Sequence, residues 1–229
     1  MIHILWATIR PQMFLNMHKI WMDRADNKNI TTHVCVNNKL DSDIVKKGLT
    51  KNDEVIIINT TRSGVCQPAY ALSSSLNGDK DDIVIFASDD FMAPIGWSGY
   101  LIEKLKNRTG ALLVNDGYQA IDFSNMAEPV FSIPIMTYDC LLKINKIIYN
   151  PVYTHLCSDA ELFLNLKEMN LIIDDRLKDI DYVFEHHHWS SGKRNSDQND
   201  QSYYSNFEKD KNTWEMRKKL PLEERLKVI

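Results

Sequence analysis

Over the first 115 residues, short apolar runs alternate with stretches of helical spacing, and this rhythm constrains the fold more than any other feature. The clearest run is 82–87, Asp-Ile-Val-Ile-Phe-Ala, which reads as a buried strand. Comparable runs occupy 2–8, 30–36, 54–59 and 111–114. Between them, 12–25 places Phe14, Met17, Trp21 and Ala25 at helical spacing. A helix is predicted from Pro68 to Leu76, proline being suited to a first helical turn, with others at 41–47 and 97–106. Short strands alternating with helices imply an α/β protein of Rossmann-like character, with a mostly parallel central sheet and helices on both faces. Sheets of this kind bind ligands beyond the carboxyl ends of their strands. Several polar residues fall at such ends: Thr8 and Arg10, Asn37, Arg62 to Gly64, and Asp89-Asp90.

After residue 116 the rhythm changes. Residues 158–170 read as a helix, with Ser158 as its cap and Glu161 as the capping-box partner. Short strands are predicted at 171–173 and 180–184, a polar loop at 190–211 and a closing helix at 212–227. The 229 residues suffice for one α/β domain. A net charge of −4 shows no basic excess that would point to nucleic acid or an anionic membrane. No apolar run is long enough to span a bilayer, and the first residues lack the flank of a signal peptide. Cys35, Cys66, Cys140 and Cys157 form no Cys-x-x-Cys pair and read as reduced, buried thiols. The expectation is a cytoplasmic protein without integral membrane association.

Five groups could carry chemistry. Ser88-Asp89-Asp90 holds two carboxylates rigidly at a strand end, where a hard divalent cation can bridge carboxylate and diphosphate oxygens. The same pair also suits a solvated turn or a helix cap. His186-His187-His188 follows an apolar run, so His186 and His188 should point one way and His187 the other. Asp159 opens the 158–170 helix, where the helix dipole favours a negative charge, or where it could serve as a general base. Thr8-Ile9-Arg10-Pro11 and Arg62-Ser63-Gly64 read as structural loops or as nucleotide contacts. Neither the phosphate-cradling lysine loop nor the dinucleotide glycine motif is present, and no nucleophile elbow is evident.

The order of these features resembles the GT-A glycosyltransferases, family 2-like, over residues 2–195. Thr8-Ile9-Arg10-Pro11 is similar to that family's opening nucleotide-binding turn, Asn37 to its contact with the base, and Ser63-Gly64 to its glycine-led helix. Ile83 to Asp90 resembles its strand and Asp-x-Asp region, with Ser88 at the first acidic position. The resemblance implies a single GT-A domain: a nucleotide-sugar-binding half at 1–115, an acceptor-side half at 116–195, and a polar tail with a C-terminal helix at 196–229. It implies a nucleotide-diphosphate sugar donor, with a UDP-sugar favoured. Thr8, Arg10, Asn37, Arg62, Gly64, Ser88 and Asp89 would contact that donor. Asp90 with His186 or His188 would hold Mn²⁺ or Mg²⁺, and Asp159 would be the base of an inverting reaction. The acceptor would be a glycan, or modified DNA in a phage-infected bacterial cell. Two other readings stay open: a nucleotidyltransferase, and a catalytically silent nucleotide-sugar-binding module.

Overall fold

The computed structural model describes residues 1–58, 64–117, 130–176, 178–188, 192–196 and 206–228. Its strands are β1 (Ile2–Ala7), β2 (Ile30–Val36), β3 (Glu54–Ile57), β4 (Ile83–Ala87), β5 (Phe91–Met92), β6 (Ala111–Leu113), β7 (Ile135–Thr137), β8 (Ile172–Asp174) and β9 (Glu185–His186). Seven of them form one sheet in the order β3-β2-β1-β4-β7-β6-β8, and β5 pairs with β9 beside it. All neighbours in the large sheet run parallel except β7, which is antiparallel to both β4 and β6. The mostly parallel sheet expected from the alternation is therefore present, with one reversed strand inside it.

The helices are α1 (Pro11–Arg24), α2 (Lys39–Val45), α3 (Cys66–Ser75), α4 (Trp97–Leu105), α5 (Tyr138–Lys143), α6 (Ser158–Glu168), α7 (Phe207–Arg217) and α8 (Leu222–Arg225). Strand periodicity sorts the core into two layers. Ile2, Ile4 and Trp6 of β1 and Ile83, Ile85 and Ala87 of β4 pack against Phe14 and Trp21 of α1 and Trp97 and Leu101 of α4. Leu5, Val84 and Phe86 face the other way, onto Ala69 and Leu72 of α3, Leu141 of α5 and Leu162 and Leu166 of α6. A strand covered on both faces can be continuously apolar, which is why β4 is buried along its whole length.

Several elements differ from the sequence expectation. Pro11 does not belong to the loop after the first strand but opens α1, at the position where its missing N–H costs nothing. The 180–184 run does not form a strand: only Val183 bridges, to Asn115, and the pairing moves to β9, opposite β5. The cap of α6 is Cys157 in a left-handed conformation, not Ser158, whose hydroxyl donates to the His155 carbonyl at 3.2 Å. Glu161 is no capping-box partner; it is buried and accepts from Arg217 Nε and Nη2 at 2.7 and 2.9 Å and from the Tyr153 hydroxyl at 2.8 Å. The closing helix begins earlier than expected, at Phe207, and Pro221 separates α7 from α8. The part of the polar loop at 197–205 lies outside the described residues. The closing segment from Phe207 onward is not a solvated tail, because Asp210, Arg217 and Arg225 are all buried. All four cysteines are free thiols, three of them buried. Among the described residues no helix is long and apolar enough to cross a membrane.

Candidate active site at the carboxyl ends of the first and fourth strands

β1 and β4 are adjacent and parallel, so Thr8 and Asp89 leave the sheet side by side. Asp89 turns inward. Its carboxylate accepts from Trp6 Nε1 at 2.8 Å and from the Thr8 hydroxyl at 2.7 Å, and Thr8 Oγ1 in turn accepts from the Arg10 amide at 2.9 Å. Burial pushes the Asp89 carboxyl up to about 7, against the pull of those two donors, and the charge of Asp90 adds to the rise. Asp89 thus locks the turn after β1 to the end of β4.

Asp90 turns the other way. Its Oδ1 accepts from the Ser88 hydroxyl at 2.5 Å, and its Oδ2 lies 3.5 Å from His186 Nε2 and 3.8 Å from Arg194. Burial alone would raise this carboxyl. The His186 bond and charge, the Ser88 bond and Arg194 outweigh it and hold Asp90 well below the usual carboxylate range. His186 is brought here by the β5–β9 pair, which sets it opposite Phe91, and the two rings stack at 4.1 Å between centroids. The His188 ring lies 5.1 Å from that of His186, while His187 turns to Glu185 at 2.9 Å. The expected alternation of the three histidines therefore holds.

A divalent ion fits this donor set. Two cis ligands at about 2.1 Å from an ion stand roughly 3 Å apart, close to the Asp90–His186 separation. The Ser88 bond occupies Oδ1, and a cation at Oδ2 would take the place of the direct His186 contact and stand beside the Arg194 guanidinium, which lies 3.8 Å from that oxygen. Among the described residues no three His, Cys, Asp or Glu side chains gather closely enough to hold an ion alone. The remaining positions would fall to diphosphate oxygens and water.

Asp159 stands in the first turn of α6. Its carboxylate accepts from the Ala160 amide at 2.9 Å, and desolvation raises its pKa above the ordinary value against that bond. Just before it runs the turn 154–157, which carries His155 into electrostatic reach of Asp90, His188 and Arg10. Burial pushes His155 down to about 4, so it is a neutral imidazole at neutral pH. Three consecutive amides of this turn, those of Thr154, His155 and Leu156, donate to Asp210 of α7 at 2.8–2.9 Å. Gly64 lies flush against it with φ +134°: a Cβ there would stand 2.0 Å from the Thr154 carbonyl oxygen. The close approach that glycine permits is to this turn.

Asn37 is half-buried beyond β2, at the same edge of the sheet as Thr8. Arg62 lies outside the described residues. Sequence reasoning missed His155, Arg194 and Asp116. Asp116 is buried beyond β6, accepts from the Ser132 hydroxyl at 2.8 Å and offers its carbonyl to the His186 amide at 2.9 Å. Asp116 was legible in principle, as another carboxylate just after an apolar strand. His155 and Arg194 carry no local signal, because a loop and the β5–β9 pair bring them in.

No protein-family model matches the sequence, and no curated protein matches it either. Solved structures do. S. aureus TarS 1-349 superposes at a TM-score of 0.58 with 15% identity, over 76% of this chain and 57% of that one. The chain therefore spans a little over half the length of that structure. The same TarS fragment has been solved in complex with UDP, with a TM-score of 0.58 and 14% identity over the same shares of the two chains. Glucosyl-3-phosphoglycerate synthase from Mycobacterium tuberculosis, in complex with Mn²⁺, UDP and phosphoglyceric acid, superposes at 0.51 with 9% identity, over 76% of this chain and 67% of that one. At these identities the likeness is one of fold, and the fold of this chain is the GT-A fold.

Proposed function

We propose that this chain transfers a glycosyl group from a nucleotide-diphosphate sugar, a UDP-sugar in the first instance, to an acceptor hydroxyl on a glycan. The observation that carries the reading is the meeting of Asp90 and His186 at 3.5 Å beyond β4, beside the Thr8–Asp89 lock, on a GT-A sheet. UDP accompanies both the TarS fragment and the mycobacterial synthase in solved complexes, which supports the choice of donor.

In this reading the nucleoside lies across the ends of β1 and β2, against Thr8, Arg10 and Asn37. Asp90 and His186, with His188 beside them, would hold Mn²⁺ or Mg²⁺. When bound, the ion supplies positive charge to the departing diphosphate. Ser88 keeps the Asp90 carboxylate turned so that one oxygen faces outward. Asp89 keeps the turn after β1 in register. Asp159 takes the proton from the acceptor hydroxyl as that oxygen attacks the anomeric carbon from the face opposite the leaving group, so the configuration inverts. A raised carboxyl pKa makes Asp159 a stronger base than a solvated aspartate.

The test is UDP-sugar turnover followed by mass spectrometry, with and without Mn²⁺, in wild type, Asp90→Ala and Asp159→Asn. Metal-dependent turnover lost in both variants is the expected result. Turnover unchanged in Asp90→Ala would overturn the assignment. UDP binding without any turnover would indicate a silent binding module.

A further inference from the structure

The amino ends of β2 and β3, on the far side of the sheet from Thr8 and Asp90, border a cavity that the proposed transfer does not use. α1 returns from the carboxyl end of β1 and α2 from that of β2. Between α1 and the segment 47–53 they leave a space of about 740 Å³. One end is closed where α1 meets residue 48: a Cβ on Gly48 would stand 2.4 Å from Leu15 Cδ2. The volume falls in the range of sites that take small organic molecules.

The lining divides by chemistry. Leu15, Met22 and Ile30 are half-buried; each packs on the α1-side core and also lines the cavity. Around this apolar floor stand four lysines, Lys19, Lys28, Lys47 and Lys51. Lys19 has an acid of its own, Asp23, one helical turn on. Lys28 Nζ donates to the Met22 carbonyl at 2.5 Å, a bond that leaves its charge uncompensated. Asp43, one turn before Lys47, is taken by Lys39 at 2.8 Å. Asp53, the one carboxylate of the lining among the described residues, is committed to its own loop and to β2. Its Oδ1 accepts from the Thr32 amide at 2.7 Å, and its Oδ2 from the Thr50 amide and hydroxyl at 2.7 and 2.8 Å. Positive charge is therefore in local excess on a chain whose net charge is −4.

An apolar floor alone would take any hydrophobic solute, and lysines alone any anion. Together they select a molecule with both parts: a phosphate or carboxylate head for the rim and a hydrocarbon body for the floor. Lysine ammoniums are point charges on flexible stems, so they can meet such a head without a fixed fork geometry. We propose that this cavity binds a small amphipathic anion, free in solution, at a site separate from the glycosyl-transfer centre. A free molecule is favoured over a bilayer lipid for two reasons. The lysines rim a concavity rather than a flat face, and the net charge of the chain repels an anionic membrane.

The experiment titrates the full chain with octyl phosphate, kept below its micelle concentration, by calorimetry. One equivalent should bind, at least tenfold more tightly than inorganic phosphate or octanol, and more weakly as salt is raised. Lys47→Gln with Lys51→Gln, both at exposed positions, should weaken binding about tenfold. Saturating UDP should leave it within twofold, which separates this site from the donor site whatever the fate of the glycosyl-transfer reading. Asn16→Trp, which fills the cavity from the exposed side of α1, should abolish binding while the circular dichroism spectrum stays unchanged. Absence of octyl phosphate binding, binding unmoved by the double lysine variant, or displacement by UDP would overturn the proposal. So would recruitment of the chain to phosphatidylglycerol vesicles under conditions where octyl phosphate fails to bind.

Discussion

Asp89 and Asp90 are neighbours in the chain, yet one turns inward beneath β1 and the other outward toward β9. The pair was legible in the sequence as two carboxylates after a buried strand, but the resemblance gave Asp89 a contact with the nucleotide-sugar donor, whereas both of its oxygens are taken by Trp6 and Thr8. Trp6 as the hydrogen-bond donor to Asp89 was not legible, since nothing local marks a buried indole as a partner. The split predicts two different losses. Asp90→Ala should weaken Mn²⁺-dependent UDP binding at least tenfold by calorimetry. Asp159→Asn should leave UDP binding within twofold and lower the turnover number by about 10²–10⁴, the range of a lost general base. Asp89 also gives a pH signature. Its folded pKa lies near 7, above the ordinary 3.8, so its ionisation works against the fold. The stability it allows is fully present below about pH 4 and is lost as pH rises through 7. Urea unfolding of wild type and Asp89→Asn from pH 4 to 8 should show the variant gaining on wild type as pH rises. His3 and His18 act in the opposite sense: burial lowers both, so their contribution is lost as pH falls below about 6.5.

Among the elements, the parallel strands and their helices were readable because each is a short apolar run or a 3.6-residue pattern ending at a turn. β7 and β9 were not readable. Each has two or three residues, too few for any period, and each exists only because β4 or β5 offers it an open edge. A closing helix was readable at 212–227, but its earlier start and its burial were not, for a related reason. The buried residues of α7 and α8 are Asp210, Arg217 and Arg225, whose charge hides burial from any hydropathy pattern. These residues hold α6: Arg217 grips Glu161, Arg225 Nε donates to Asn165 at 2.7 Å, and Asp210 gathers the turn that leads into Asp159. Removing one partner of a buried pair costs about 3–5 kcal/mol, because the other charge is left stranded. Arg217→Ala should therefore lower unfolding free energy by that amount, whereas Glu161→Leu with Arg217→Leu should recover most of it. Gly64→Ala is expected to displace the 154–157 turn, since no side chain fits against the Thr154 carbonyl at that positive φ. Its readout is loss of amide protection at His155 and Leu156 in hydrogen exchange.

At the scale of the whole molecule, the two layers of core meet along one sheet, and β1 lies inside it between β2 and β4, both of which follow it in the chain. The order of the strands has a consequence for time. The Thr8–Asp89 bond joins residues 81 positions apart, and the Arg217–Glu161 pair closes a further 56. On a ribosome, β1 emerges early and finds β2 soon afterwards, but its second neighbour, β4, is still unmade. The grip on α6 comes only with the synthesis of α7. Pairings of such long separation are slow to close, because the entropy of the intervening loop is lost before the contact forms. Binding competence should therefore be the last property acquired during refolding, lagging the return of secondary structure in stopped-flow circular dichroism.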